Sequence, residues 1–478
     1  MKILETQIFN TVNHILKLIQ AKTDKLRKNS FLLTNIDFFI FYSIIAVYVL
    51  SIFAPNEITG LVSILVPFFI FIKVLITKNE KIELEFCNFF LLIYLLICLI
   101  SNFTSSMPLQ SMYGFSKTLI YFAFYFALCQ FLKNQKKYII KLLFIIASLV
   151  SIESIIGLMQ HSVGIENIST WQDTSYLNPE DIIARVYGTL KPYNPNLFGG
   201  YLIAGFPAIV AMLLINLKNK RTLQTIISFC CCLVCIFTIF LTGCRGAYLA
   251  LFTAIAGFII ASFLIVFHDL NLPKLKFIWK TTFFAGLAGI IIFLIFNHGI
   301  LQRLMSIFIL RDDSSTSFRI NVYNSAIQML NDNWLFGIGV GNKVFREIYG
   351  LYMLSGFDAL SCYSTILEMA VESGVFAALA YLLFLFTIIF NSIKIFLNCS
   401  IYSPVKKEDK NPAKQINQNK FTYKILLFIP LISIISVMIH GIFDTIYFRP
   451  QIQFIFWTMA AILTILIREK PVKQNENS

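Results

Sequence analysis

Arg245 is the residue of this sequence whose surroundings most strongly suggest chemistry. It stands in FLTGCRGAYLA, between two apolar runs of about twenty residues, each long enough to cross a membrane. A guanidinium is a permanently charged fork whose donors match phosphate or carboxylate oxygens. Gly243 and Gly246 permit a tight turn, and Gly246 opens the next helix, whose first amides add positive potential. We therefore expect an anion site at Arg245, with contact to lipid headgroups as the alternative.

The composition explains these apolar runs. Of the 478 residues, 57% are hydrophobic and only 13% are charged, whereas soluble proteins carry about 25% charged residues. This predicts an all-α, polytopic integral membrane protein. The net charge of +14 then indicates positive charge retained at the cytoplasmic face of the membrane rather than nucleic-acid binding. About twelve spans are predicted, near 37–54, 59–76, 86–102, 114–132, 138–159, 196–216, 223–243, 246–267, 281–297, 373–396, 425–442 and 450–467.

Alternate connections are basic, which predicts both termini in the cytoplasm of a bacterial inner (plasma) membrane. The N-terminal segment 1–36 is predicted to be cytoplasmic and amphipathic, the polytopic domain to span 37–467, and the tail 468–478 to be cytoplasmic. The outer loops 160–195 and 298–372 would form a small helical periplasmic cap. Residues 398–424 would lie inside.

The outer side is rich in arginine. Ten of the 39 basic residues fall there, and seven of the ten are arginines, against three of the remaining 29. Topology gives no reason for this preference, whereas anion recognition does. Pairing with acidic residues of the loops is the alternative. The ten residues are Lys117, Arg185, Lys191, Arg245, Arg303, Arg311, Arg319, Lys343, Arg346 and Arg449.

The second outer loop contains a helical pattern. Phe318, Val322, Ala326, Met329 and Leu330 recur at the spacing of one helix face. We predict an amphipathic helix after SSTS, with Arg319 in its first turn.

Several ordered motifs resemble the O-antigen ligase/polymerase superfamily over about 180–450. LTGCRGAYLAL resembles its T-x-S-R-G-x-x-L-A signature, GTLKPYNPNLFGGYL its G-T-x-x-N-P-N element, and FRINVYNSAIQMLNDNWLFGIGVGN its block ending in G-x-G-x-G. The amino-acid sequence of the second outer loop is most similar to the IctB-type subgroup, whose members are described as bicarbonate transporters.

The resemblance implies a lipid-diphosphate glycan transferase. Such a protein moves a glycan from an undecaprenyl-diphosphate-linked donor to a sugar or lipid-linked acceptor, using neither metal nor nucleotide and no cofactor. By the resemblance, Arg245 and Arg319 would hold the diphosphate leaving group. Its motifs also imply a substrate-binding set, consisting of Arg185, Asn194, Asn196, Arg311, Trp334, Gly339 and Asn342.

The sequence departs from the family at its histidine, which lies about ten residues before a glycine. Here that spacing, counted back from Gly374, gives Tyr363. Tyrosine has an ordinary pKa near 10 and is a poor base at neutral pH. Glu368 and Glu372, five and nine residues later, are the alternative candidates for orienting or deprotonating an acceptor hydroxyl.

Three other patterns have simple structural interpretations or suggest a single contact. FGIGVGN lies on the outer side without a preceding strand, so we predict a tight turn rather than a nucleotide loop. CCCLVC lies within a span without partner ligands, so no metal site is predicted. Lys117 and Glu153 have similar predicted depths, which suggests an ion pair.

The sequence favours a membrane glycan transferase of the ligase or polymerase type, with membrane lipids and a lipid-linked glycan as partners. An anion transporter of the bicarbonate type is the alternative, and a non-catalytic member of the same fold is a third. A transporter should need ionisable or broken-helix features near the bilayer midplane, and few are found.

Overall fold

The computed structural model describes residues 13–23, 30–78, 80–82, 85–164, 185–296, 314–354, 356, 358–399 and 413–468. These residues form an all-helical, multi-pass membrane protein, as the composition predicts. Two short helices, Phe31–Thr34 and the 3-10 turn Ile446–Phe448, accompany the main ones. The main helices are α1 Ile36–Phe53, α2 Asn56–Ile76, α3 Phe86–Thr104, α4 Pro108–Asn134, α5 Lys137–Val163, α6 Pro195–Lys218, α7 Thr222–Leu241, α8 Arg245–Phe263, α9 Pro273–Phe296, α10 Ser314–Asp332, α11 Asn342–Tyr352, α12 Thr365–Ser373, α13 Val375–Asn398, α14 Ala413–His440 and α15 Pro450–Arg468.

Eleven of the described helices are long and apolar enough to span a membrane. They are α1–α8, α13, α14 and α15, and each corresponds to a predicted span. A π-helix, Leu264–Leu270, extends α8. The ninth predicted span, 281–297, falls on α9, and its last residue lies outside the described residues.

Helix α15 forms the centre of the bundle, and 94% of its span is buried. Its polar side chains have partners, as an apolar surrounding requires. Thr458 bonds to the Tyr48 hydroxyl at 2.6 Å, and Thr464 to the Tyr125 hydroxyl at 2.9 Å. Hydrogen bonds from α1 and α4 thus fix the rotation of α15.

The cap helix predicted after SSTS is confirmed as α10. Val322, Ala326 and Met329 are fully buried, and Phe318 and Leu330 pack against the same small core. The helix begins at Ser314, which puts Arg319 in its second turn rather than its first.

The glycines that follow α10 form the predicted tight turn. Gly337, Gly339 and Gly341 all have positive φ, which favours glycine. The amides of Ile338 and Gly339 donate to the carbonyls of Val371 and Glu372, both at 2.9 Å. The turn therefore holds the C-terminal end of α12 in place.

Candidate functional site

Asp444 organises a group of polar side chains, the arginine cluster, which consists of Arg185, Asn196, Arg319 and Asp444. The Asn196 amide donates to the Asp444 carboxylate at 3.1 Å, and Asn196 accepts from Arg185 at 2.6 Å. Arg185 also donates through Nε to the carbonyl of Thr242 at 2.7 Å. These bonds connect the start of α6, the turn before α8 and the segment after α14.

Arg319 reaches the same carboxylate from the cap. Its Nη1 donates to the Phe443 carbonyl at 2.9 Å, and its Nη2 lies 3.9 Å from Oδ2 of Asp444. Arg319 therefore approaches the carboxylate directly, and Arg185 is linked to it through Asn196. Asp444 is only 14% exposed, and this burial strengthens its attraction for them.

Arg245 is the first residue of α8 and is exposed. Gly243 has φ +62°, so the predicted tight turn is present, and the helix begins one residue before Gly246. Three residues earlier, Thr242 accepts from Arg185, which places Arg245 beside the arginine cluster.

The side of this turn that faces the protein carries a thiol and an imidazole. Cys244 Sγ lies 3.4 Å from Nε2 of buried His440, whose ring lies against Gly246. Burial would raise the pKa of the Cys244 thiol, but His440 and Arg185 bring that pKa below its usual range. Neither Cys244 nor His440 is among the site residues that the sequence predicts.

Tyr363 lies under Arg319. The guanidinium carbon is 5.2 Å from the centroid of the tyrosine ring, and Tyr363 has φ +52°. Burial, with a smaller contribution from Asp444, raises the pKa of Tyr363 above its ordinary value. The residue at the position of the family histidine therefore ionises even less readily than a free tyrosine, and its hydroxyl stays protonated near neutral pH.

Glu368 and Glu372 are buried on α12, and both line a cavity of about 130 Å³. Glu368 accepts from the amide of Cys362 at 3.2 Å. Burial raises the pKa of both carboxyls, well above the usual range for Glu368 and to about 8 for Glu372. We call this space the carboxylate cavity; Lys117, Lys343, Tyr113, Tyr447 and Gln453 also line it.

The predicted ion pair between Lys117 and Glu153 is wrong. Glu153 accepts from the Thr189 amide at 3.0 Å and from the Thr189 hydroxyl, whereas Lys117 Nζ lies 4.5 Å above the Tyr113 ring. The two residues were predicted at similar depth, but α5 packs against α6 and α7, while α4 packs against α2 and α15.

Four further predicted substrate-binding residues have identifiable structural contacts. Asn194 caps α6 by accepting from the amides of Asn196 and Leu197. Trp334 packs near Phe376, and Asn342 donates to the Leu360 carbonyl at 2.9 Å while lining the carboxylate cavity. A Cβ on Gly339 would lie 2.3 Å from the Ser105 hydroxyl. Arg311 lies outside the described residues.

Asp444 is the residue that the sequence analysis missed. It stands alone in the short connection GIFDTIYFRP, and an isolated carboxylate gives no pattern. Its position directly after a span, on the side rich in arginine, was the available signal. Among the described residues, no group of three or more His, Cys, Asp and Glu side chains could hold a metal ion.

Comparison with known proteins gives two matches. Residues 230–382 match the family described as O-antigen ligase. The teichuronic acid biosynthesis protein TuaE of Bacillus subtilis (strain 168) is 25% identical over 277 residues, which are 55% of this chain and 51% of TuaE. The chain thus spans about half the length of this curated relative. Neither match distinguishes the IctB-type subgroup.

Proposed function

We propose, from the match of residues 230–382 to the O-antigen ligase family, that the protein is a membrane glycan transferase of the ligase or polymerase type. It would move a saccharide from a lipid-diphosphate carrier, such as undecaprenyl diphosphate, to an acceptor at the outer face of the bacterial inner membrane. The name of TuaE refers to teichuronic acid biosynthesis, which supports a role in building glycans.

The gathering of Arg319 and, through Asn196, of Arg185 around Asp444, beside the turn that presents Arg245, is the observation that carries the proposal. A guanidinium has five donors, and Arg319 uses one of them on the Phe443 carbonyl, so others remain for phosphate oxygens. The first amides of α8 add positive potential beside Arg245. Such a preorganised group would stabilise the charge that develops on a departing diphosphate.

The acceptor hydroxyl would attack the anomeric carbon of the donor sugar. The bond from that carbon to the diphosphate oxygen breaks, and its electron pair leaves with the diphosphate. The ionised form of Glu372 would receive the hydroxyl proton. With a pKa of about 8 this form is the minor one near neutral pH, but it is a stronger base than an ordinary carboxylate. Tyr363 would instead hold Arg319 through contact with its ring.

Release of undecaprenyl diphosphate from a lipid-linked saccharide in proteoliposomes tests this proposal. Arg319→Ala and Arg245→Ala should each reduce release about a hundredfold or more. Arg245→Lys should be almost as damaging, because a point charge does not reproduce the fork. Tyr363→Phe should be milder, because the ring remains, and Tyr363→His should be tolerated.

Arg346→Ala is the matched control, because this arginine is half-exposed on the cap and pairs only loosely, at 3.6 Å, with Asp358. It should retain release. Absence of turnover by the wild-type protein with every acceptor, together with normal anion uptake by Arg245→Ala, would overturn the transferase and favour a transporter.

A further inference from the structure

The carboxylate cavity has a cationic rim and an uncharged, hydrogen-bonding floor. Lys117 and Lys343 are exposed at the rim, and their Nζ atoms lie 4.5 and 5.8 Å from the centroid of the same Tyr113 ring. Among the ion pairs of the described residues, neither lysine has a carboxylate partner within 4.0 Å. Two ammonium groups within 6 Å of one ring centroid give this rim positive charge, which favours an anion beside them.

The floor consists of buried polar groups. Glu368, Glu372 and Gln453 are each at least 94% buried, and the Tyr381 hydroxyl donates to that of Tyr447 at 2.6 Å. Because carboxyls in this surrounding hold their protons, they can donate as well as accept hydrogen bonds. Such a floor is suited to hydroxyl groups, and the exposed Tyr113 ring offers a flat apolar face beside it.

The size of the cavity fits one sugar ring. Its 130 Å³ is close to the roughly 150 Å³ of a protein cavity that binds a single six-membered ring such as benzene. The pyranose ring of one hexose would therefore fill the space while its substituents extend to the rim.

The cavity adjoins the arginine cluster through a short stretch of chain. The Cys362 amide donates to Glu368, and the next residue, Tyr363, lies under Arg319. Thr365, which begins α12, donates to the Gly441 carbonyl, three residues before Asp444. A ligand in the cavity would therefore lie beside the group proposed to hold the diphosphate.

We propose that the carboxylate cavity is the acceptor subsite and selects a sugar that carries an anionic substituent, a carboxylate or a phosphate, through Lys117 and Lys343. This inference rests on the proposed transferase function. Glu368, Glu372 and Gln453 would bind the ring hydroxyls, and the two lysines would bind the anion at the rim.

The test uses the full-length protein in nanodiscs of neutral phosphatidylcholine. Saturation-transfer NMR compares methyl β-glucuronide with methyl β-glucoside, which has the same ring without the charge. The glucuronide should bind more tightly than the glucoside. In Lys117→Met/Lys343→Met its affinity should fall about fivefold, because an exposed charge pair contributes a modest amount, while the glucoside should be unaffected. Lys137→Met is the matched control, since Lys137 is also exposed and lies 5.3 Å from a tyrosine ring, that of Tyr138.

Equal binding of the two glycosides, or an unchanged preference in the double variant, would overturn the inference. So would displacement of the glucuronide by phosphatidylglycerol added to the nanodiscs, because the rim would then be a lipid headgroup site. Arg319→Ala should keep glucuronide binding. Glucuronide binding without any diphosphate release would refute the transferase but support the anionic-sugar subsite. Diphosphate release without a preference for the glucuronide would support the transferase but refute the subsite.

Discussion

Glu368 and Glu372 are acidic residues that the fold keeps away from water. Two carboxyls one helical turn apart, both buried, would repel each other if both were ionised. Protonation of at least one removes that repulsion. The consequence is a dependence of stability on pH that an exposed pair would not produce.

We expect the wild-type protein to lose stability as the pH rises. The pKa of Glu372 is about 8 in the folded protein and near 4.5 in an unfolded chain, so the folded state binds more protons between these values. The stabilisation is complete below pH 4.5 and is lost as the pH rises through 8. Glu372→Gln, which remains neutral, should flatten the fall of the thermal midpoint measured in detergent between pH 5 and 8. The raised pKa of Glu368 would leave a residual slope.

Glu347→Gln provides the comparison, because Glu347 is exposed on α11. Its midpoint should follow the wild-type curve. A Glu372→Gln curve parallel to the wild type would show that this carboxyl does not hold its proton in the folded protein.

The turn between α10 and α11 is the element that joins the cap to the membrane helices. Ser105 donates to the Ile338 carbonyl at 2.6 Å, and Ser111 accepts from the Val340 amide at 2.8 Å. On its other side the turn bonds to α12. The position of both acidic residues on α12 therefore depends on how closely the glycines approach their neighbours.

Gly339→Ala should destabilise the protein by about 2 kcal/mol or more, because φ is +111° and the added Cβ would lie 2.3 Å from the Ser105 hydroxyl. Gly350→Ala is the matched control, since Gly350 lies in α11 with nothing within 4 Å of an added Cβ. It should be neutral or stabilising by up to about 1 kcal/mol. Thermal unfolding in detergent measures both, and equal midpoints would contradict a close-packed turn.

The sequence predicts the helices themselves better than the contacts between them. The apolar runs give the spans, and the spacing from Phe318 to Leu330 gives α10, because both patterns arise within one element. The Lys117–Glu153 pair fails because depth in the membrane does not determine which helices touch. Asp444 and the carboxylate cavity also depend on contacts between distant segments, such as that of Asn196 with Asp444, and no local pattern marks them.

At the scale of the whole molecule, the arginine cluster shows which helix ends lie on the same side of the bundle. Its residues come from just before α6, the start of α6, α10 and the segment after α14, so all of these lie at one end of the bundle. The turn that starts α8 lies there too. The basic connections, including the one between α4 and α5, are predicted at the opposite, cytoplasmic end. The arginine cluster and the cap therefore lie on the same side of the membrane, so locating the cap also locates the cluster.

Cysteine labelling with a membrane-impermeant maleimide tests that orientation. Glu347→Cys places a thiol on an exposed part of the cap helix α11, and Lys136→Cys places one at the exposed start of α5. In intact cells whose outer barrier is permeabilised, Glu347→Cys should react and Lys136→Cys should not. In inverted membrane vesicles the pattern should be reversed. The wild-type chain corrects for native thiols, of which Cys230 is exposed but lies within the apolar α7. Labelling of both positions from the same side would contradict the predicted topology, and labelling of Glu347→Cys only from the cytoplasm would place the arginine cluster where an outward-facing lipid-linked donor could not reach it.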